Sequence, residues 1–123
     1  MATAYKVVQR KYGDSGVTAY ELDIAHTQGD ALEIDYTITR NTGNPTAPTS
    51  ATLVIAPAKG ATATVSVACT VTDSTTSYSV AKTVEGSVMD IAAGAYYYEV
   101  QEVRAAGTPK SKLVGRLYIR EDV

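Results

Sequence analysis

Chemistry in this chain would have to come from one histidine, one cysteine and a set of acidic residues. His26 is the only histidine and Cys69 the only cysteine among 123 residues. A Ser-His-Asp triad would need His26, but no G-x-S-x-G segment presents a serine for nucleophilic attack. One histidine and one cysteine also cannot complete a tetrahedral structural zinc site. We therefore expect His26 to be a turn residue, and Cys69 to be a buried, inert thiol on the apolar side of an alternating segment.

The acidic residues offer a second kind of site. Glu99 with Glu102, or Asp23 with Asp35, would form an acid–base pair if the two carboxyl groups faced each other across a cleft, as glycosidases require. Nothing in the sequence implies a cleft. We expect these four residues to lie on the outward faces of strands, where their carboxylates are solvated.

Turn residues were the remaining candidates for a ligand site. Asp14, Asp30 and Asp73 lie in predicted turns, but none of these turns has the D-x-D spacing of a calcium loop. The turn at residues 13–16 lacks the following Gly-Lys-Ser/Thr of a phosphate-binding loop. The sequence therefore predicts no catalytic residue, no cofactor and no required metal.

Composition and charge limit the classes of partner that we expect the chain to bind. The formal net charge is −2 and the longest basic cluster is Arg10-Lys11, so no nucleic-acid partner is expected, because phosphate binding needs a concentrated basic face. No apolar run approaches the ~20 residues of a membrane helix. The first residues contain no apolar signal-peptide core, so we expect synthesis in a cytoplasm. The length suits a single domain.

The elements that must position these residues are strands. Period-two alternation is clearest at residues 32–39, where Leu32, Ile34, Tyr36 and Ile38 share one face. Turn signals recur about every ten residues, which is typical of an all-β sandwich and not of βαβ units. We predict about seven core strands, and the inward residues predicted beyond those four are Val65, Val67, Val80, Tyr98, Val100, Leu117 and Ile119.

One segment favours a particular kind of sandwich. Gly94 ends a short turn, and Tyr96 follows two residues later at the start of a tyrosine-rich strand. Late strands of immunoglobulin-like (Ig-like) sandwiches carry a tyrosine corner of this form, whose hydroxyl hydrogen-bonds to upstream backbone. We therefore predict a single Ig-like antiparallel β-sandwich, with a hydrogen bond from the Tyr96 hydroxyl to the backbone of residues 90–92.

The N-terminal segment is predicted as an extra element: residues 1–16 form an arm or a hairpin strand, and residues 17–123 form the sandwich. Strand-forming residues there are mixed with three basic ones, which suit an edge or an arm better than a central strand. All nine aromatic residues are tyrosines, and tyrosine is enriched at interfaces. The possible interface residues are Tyr5, Val7, Tyr12, Tyr97 and Tyr118.

Three segments, taken in order, resemble a known group of proteins. They begin at Gly29 (Gly-Asp-Ala-Leu-Glu-Ile), at Gly94 (G-x-Y-x-Y-E-V-Q) and at Gly115 (G-x-L-x-I-x-x-D-V). From about Gln28 to Val123, the chain is similar to small virion proteins of tailed bacteriophages, with an Ig-like β-sandwich like the N-terminal domain of the baseplate upper protein. The resemblance implies a non-enzymatic structural module and carries over no catalytic residue.

The resemblance also implies a location and a set of partners. The chain would be a virion structural protein, such as a capsid decoration, head-fibre, neck, tail or baseplate component, that binds capsid, neck or tail subunits and copies of itself. The segment before Gly29 is longer than that domain would need, and no fibre or receptor-binding region follows Val123, so the position in the particle is left open. The alternatives are a bacterial cell-surface Ig-like or fibronectin-like adhesion module, or a carbohydrate-binding module in which Tyr97 and Tyr118 stack on sugars.

Overall fold

The fold of the chain is all-β. A computed structural model describes the backbone of residues 2–10 and 20, and the backbone and side chains of residues 21–39, 46–104, 107 and 109–121. These residues form no helix, and hence none that could span a membrane. Their strands are β1 (Ala2–Arg10), β2 (Tyr20–Glu21), β3 (Ile24–Thr27), β4 (Ala31–Thr39), β5 (Ser50–Ala56), β6 (Val65–Asp73), β7 (Ser77–Val84), β8 (Gly94–Val103) and β9 (Lys110–Arg120). The prediction of an all-β fold is confirmed.

The strands lie in one mixed sheet that nearly closes into a barrel. The order of neighbours is β1-β4-β7-β6-β5-β8-β9-β2, with β3 also paired to β9. Strand β6 belongs to two ladders, because residues 65–69 pair with β5 and residues 70–73 pair with β7. The ladders from β4 to β9 are antiparallel, and the pairs β5–β6, β6–β7 and β8–β9 join consecutive strands, as antiparallel pairing allows.

The prediction of a wholly antiparallel sandwich is wrong at the two edges of the sheet. Strand β1 runs parallel to β4, and β2 and β3 run parallel to β9. Strands β1 and β2 therefore pair at opposite ends of the strand order and form no hairpin with each other among the described residues. The reason is that each N-terminal segment pairs with a strand distant in sequence instead of folding back on its neighbour. The arm interpretation of residues 1–16 stays a prediction.

The core confirms most of the predicted inward residues. Strand β4 alternates strictly, with its four predicted side chains buried, and the predicted residues of β7, β8 and β9 are buried as well. Strand β6 differs, since Val65 is buried but Val67 and Cys69 are only half-buried. We attribute this to the passage of β6 from one ladder to the other directly after Cys69, which leaves its inward side chains at a corner of the sheet.

Candidate functional site

Two of the predicted interface tyrosines lie on one outer face of the sheet. Tyr97 of β8 is directly opposite Arg116 of β9, and Tyr118 of β9 is directly opposite Ala95 of β8. Residues opposite each other in a ladder share a face, so the two tyrosines occupy diagonal positions on it. Tyr118 is 45% exposed and Tyr97 is half-buried. This β8–β9 outer face therefore presents aromatic surface to solvent.

The other three predicted interface residues are in the N-terminal segment. Tyr5 and Val7 are in β1, where their backbones pair with Ile34 and Tyr36 of β4. Tyr12 lies outside the described residues. Because β1 and β9 are far apart in the strand order, the structure does not bring the N-terminal residues onto the β8–β9 outer face through strand pairing.

A surface groove of about 470 Å³ opens beside Tyr97. Its walls come from three parts of the fold: the turn after β5, strands β8 and β9, and the β2–β3 edge. The lining residues are Glu21, Asp23, Pro57, Ala58, Lys59, Tyr97, Val114, Gly115 and Arg116. This volume lies within the range of small-molecule sites. We call it the Tyr97 groove.

The floor of the Tyr97 groove depends on Gly115. A Cβ atom at this position would overlap the carbonyl oxygen of Leu22, which lies between β2 and β3. The hydroxyl of Tyr98 donates a hydrogen bond to that same oxygen, and the amide of Leu22 donates to the carbonyl oxygen of Val114 at 2.9 Å. Close approach of one backbone to another is a position where glycine has a specific use. The glycine thus allows the β2–β3 edge to lie close against β9.

Asp23 is fixed beside this floor by its own side chain. Its Oδ1 accepts a hydrogen bond from the backbone amide of Arg116 at 3.0 Å. Leu22 and Asp23 lie between β2 and β3, where the regular pairing with β9 is interrupted. The Asp23 side chain therefore accepts the hydrogen bond that a backbone carbonyl would accept within a strand. The Asp23 carboxylate is thereby held in the groove wall. Asp35, the partner considered for it, lies on β4, and among the described residues β4 pairs with β1 and β7 and not with β2, β3 or β9.

The charges of the Tyr97 groove are balanced. Glu21 and Asp23 supply two carboxylates, and Lys59 and Arg116 supply two cations. Partial burial raises the pKa of the Tyr97 phenol, and the carboxylates of Glu99 and Glu21 raise it further. The tyrosine therefore stays neutral near pH 7 and offers an aromatic ring with a hydroxyl, in a groove that is also lined by charged groups of both signs.

A second polar cluster lies inside the sheet and was missed in the sequence. Glu102 was predicted on an outward strand face, but it is only 1% exposed. Its carboxylate accepts hydrogen bonds from the hydroxyl of Tyr36 at 2.5 Å and of Tyr78 at 3.0 Å, and it pairs with the guanidinium of Arg104 at 3.0 Å. The alternation itself carried the signal, because Glu102 has the same parity as the buried Tyr98 and Val100.

The Glu102 cluster holds a loop in place. Arg104 donates from Nη2 and Nε to the carbonyl oxygen of Thr46, at 2.5 and 2.8 Å, and its guanidinium lies 5.8 Å from the ring centroid of Tyr78. Burial, followed by the charge of Glu102, raises the pKa of the Tyr36 and Tyr78 phenols, so both remain protonated donors. The buried Glu102 carboxylate is therefore a structural tie that links Tyr36, Tyr78 and, through Arg104, the carbonyl oxygen of Thr46.

The acid–base pair considered for Glu99 and Glu102 is not formed. Glu99 points to the opposite face of β8, where its carboxylate accepts hydrogen bonds from the side chains of Gln101 and Ser111. The physical reason is the period of two: residues three apart on a strand lie on opposite faces. One carboxylate is therefore inside the sheet and the other outside.

The single histidine and the single cysteine both lie in strands of the sheet. His26 was expected in a turn, but it is buried in β3, where its Nε2 donates to the carbonyl oxygen of Asp30 at 2.8 Å. The pairing of β3 with β9 extends the sheet through this residue. Burial raises the pKa of the Cys69 thiol to about 11, which leaves little thiolate at neutral pH.

Neither a metal cluster nor a known family defines the site. Among the residues whose side chains are described, no group of three or more His, Cys, Asp or Glu side chains could hold a metal ion. The Tyr97 groove and the adjacent Tyr118 are therefore the best candidates for a functional surface on this part of the chain. No protein-family model matches the sequence, and no curated protein matches it either.

Proposed function

We propose that this chain is a structural protein of a tailed-bacteriophage virion, with an Ig-like β-sandwich that acts through non-covalent contacts and performs no catalysis. Other virion subunits and copies of the same chain would be its partners. The main support for the proposal is the tyrosine corner at Gly94 and Tyr96. This corner lies in one of the segments that resemble phage virion proteins, and its geometry is typical of an Ig-like domain.

The corner has the hydrogen bond that this kind of domain requires. The Tyr96 hydroxyl donates to the carbonyl oxygen of Ala92 at 2.6 Å, within the range expected from the sequence. Gly94 has a φ of 148°, in a region that non-glycine residues rarely adopt. In Ig-like sandwiches the tyrosine corner stands near the start of a late strand, and Tyr96 is the third residue of β8.

The grouping of strands supports the same proposal. One ladder joins β1, β4 and β7 with the end of β6, and the other joins the start of β6 with β5, β8, β9 and the β2–β3 edge. When the β2–β3 edge is not counted, β4, β7 and β6 are the second, fifth and fourth strands, and β5, β8 and β9 are the third, sixth and seventh. An Ig-like sandwich groups its strands into two sheets in the same way. The passage of β6 between ladders corresponds to a strand that switches sheets.

The surface supports action by contact. Among the residues whose side chains are described, Tyr118 is one of two large hydrophobic residues that are strongly exposed, and exposed tyrosines are common anchors of protein interfaces. The buried carboxylate of Glu102 is bound by Tyr36, Tyr78 and Arg104 of the same chain, so it is not offered to a partner. We therefore place the docking surface on the β8–β9 outer face around Tyr118.

Mass spectrometry of purified phage particles tests this proposal. Particles from the strain that carries the gene would be separated from soluble and envelope material by density-gradient centrifugation. We expect peptides of this chain to co-sediment with the major capsid and tail proteins in a fixed ratio. Recovery of the chain only in the cell-envelope fraction would contradict the virion role and favour the cell-surface adhesion module.

A further inference from the structure

We propose that the Tyr97 groove binds a neutral carbohydrate of one or two sugar units. This inference goes beyond the proposed virion role, because it assigns a small-molecule ligand to a site next to the docking surface. It rests on four features of the groove: its shape, its aromatic ring, its balanced charges and the fixed position of one carboxylate.

The groove has the size of a small-ligand site. Its volume of about 470 Å³ is larger than the space of a single water molecule and lies within the range of small-molecule sites. The backbone groups of β8 and β9 at this place are paired with each other across the ladder. The groove therefore offers side chains to a ligand, and not an open strand edge to which a peptide backbone could add.

The balanced charges favour a neutral ligand. A groove with two carboxylates and two cations gives an anion or a cation as much repulsion as attraction. A sugar carries many hydroxyl groups, each of which is both donor and acceptor. Glu21 and Asp23 can accept from such hydroxyls, while Lys59 and Arg116 can donate to them. Both signs of charge then contribute to binding.

The aromatic ring supplies the apolar contact. One face of a pyranose ring carries C–H groups that pack against the flat face of an aromatic side chain, and Tyr97 lines the groove. The half-burial of Tyr97 limits the motion of its ring before a ligand arrives. Tyr118 lies on the same outer face but does not line the groove, so it provides a matched control.

The position of Asp23 is set before binding. Its Oδ1 is occupied by the amide of Arg116, which orients the carboxylate and leaves Oδ2 as an acceptor for a sugar hydroxyl. Tyr98 and Gly115 fix the neighbouring Leu22 carbonyl in the same region. A site with its groups already held in place loses less entropy when it binds.

Nuclear magnetic resonance titration tests the inference. The ¹⁵N-labelled protein would be titrated with the methyl glycosides of glucose, galactose, N-acetylglucosamine and rhamnose. For at least one sugar, we expect saturable shift changes at Lys59, Tyr97 and Arg116. Tyr97→Ala should weaken binding about tenfold through the lost ring contact, whereas Tyr97→Phe and Tyr118→Ala should each keep it within about twofold.

A second variant tests the polar half of the site. Asp23→Asn keeps an oxygen for the Arg116 amide, so the melting temperature should stay near the wild-type value while sugar binding weakens about fivefold. The inference is overturned if none of the four sugars produces saturable shifts, or if the shifts lie away from the groove and persist in Tyr97→Ala. Either result leaves the particle measurement unaffected, so failure of the sugar site and failure of the virion role are separable.

Discussion

Tyr98 and Gly115 are directly opposite each other on β8 and β9, and both act on the carbonyl oxygen of Leu22. The tyrosine donates a hydrogen bond to this oxygen, and the glycine leaves the space that it occupies. Tyr98 is buried and β9 is the strand to which β2 and β3 pair. This pair of residues therefore determines how closely the β2–β3 edge lies against the rest of the sheet.

Replacement of Gly115 should disturb both the edge and the groove. In Gly115→Ala the new methyl group would overlap the Leu22 carbonyl, and such overpacking costs about 1–3 kcal/mol of stability. Chemical denaturation of the variant checks this value. Gly107→Ala is the matched control, because the contact that a Cβ there would make with the described residues is with the carbonyl oxygen of Arg104, at an ordinary 3.9 Å. If the two variants had equal free energies of unfolding, the close approach of Gly115 to Leu22 would not limit the size of the residue at this position.

The tyrosine corner should contribute a measurable hydrogen bond. Tyr96→Phe removes the donor to the Ala92 carbonyl and keeps the ring, so we expect a loss of about 1 kcal/mol in unfolding free energy. Tyr118→Phe removes a hydroxyl from an exposed residue and should change stability by less than about 0.5 kcal/mol. Urea denaturation of both variants decides the point, and an unchanged Tyr96→Phe protein would contradict the proposed role of the corner.

Loss of Glu102 should be the most destabilising of the acidic substitutions. Glu102→Ala leaves Tyr36, Tyr78 and Arg104 without their shared buried acceptor, and breaking such a buried pair typically costs about 3–5 kcal/mol. Glu85→Ala, at an exposed site, is the control and should change stability by less than about 0.5 kcal/mol. Thermal and urea unfolding measure the difference. A Glu102→Ala protein as stable as the control would mean that the cluster is not a structural tie.

Alkaline pH should weaken the fold. Burial raises the pKa of Cys69 from 9.0 to about 11, and it also raises the pKa of Tyr36, Tyr78 and Tyr98 above 10.0. These groups lose their protons more easily in the unfolded chain, so stability is fully present below pH 9 and falls as the pH rises through 9 to 11 and beyond. Urea denaturation at a series of pH values should show this decline.

A matched variant isolates the contribution of the thiol. Cys69→Ala removes the group that titrates first, so the fall in stability between pH 9 and 11 should become smaller than in the wild type. Stability that stays constant or rises over this interval in the wild-type protein would contradict the assigned burial of these groups.

Much of the architecture could be predicted because alternation is a local property. Leu32, Ile34, Tyr36 and Ile38 share a face through the period of two alone, and the segment from Ala92 to Tyr96 contains both its turn and its hydrogen bond. The pairing of β1 with β4, and of β2 and β3 with β9, depends on contacts between distant parts of the chain. No local pattern in the sequence indicates these parallel edges.

The candidate site was predicted only in part for a similar reason. Tyr97 and Tyr118 can be predicted from residue type and from their places on adjacent strands, whereas Glu21 and Asp23 reach the groove from the β2–β3 edge and Lys59 from the turn after β5. Glu102 is a different case, because its parity on β8 already placed it with Tyr98 and Val100. Carboxylates are usually solvated, and the buried donors Tyr36 and Tyr78 explain why Glu102 is an exception.

We propose that the chain joins a virion through the β8–β9 outer face, and the incorporation of variants into particles tests this proposal most directly. Wild-type, Tyr118→Arg and Thr83→Arg proteins would be supplied in turn to a phage that lacks the gene, and the chain would be quantified in gradient-purified particles. Thr83 is also exposed but lies on β7, in the other ladder. We predict full incorporation of the wild type and of Thr83→Arg, and a loss of at least about tenfold for Tyr118→Arg, as for an interface anchor. Absence of the wild-type chain from particles, or equal incorporation of all three proteins, would contradict the account.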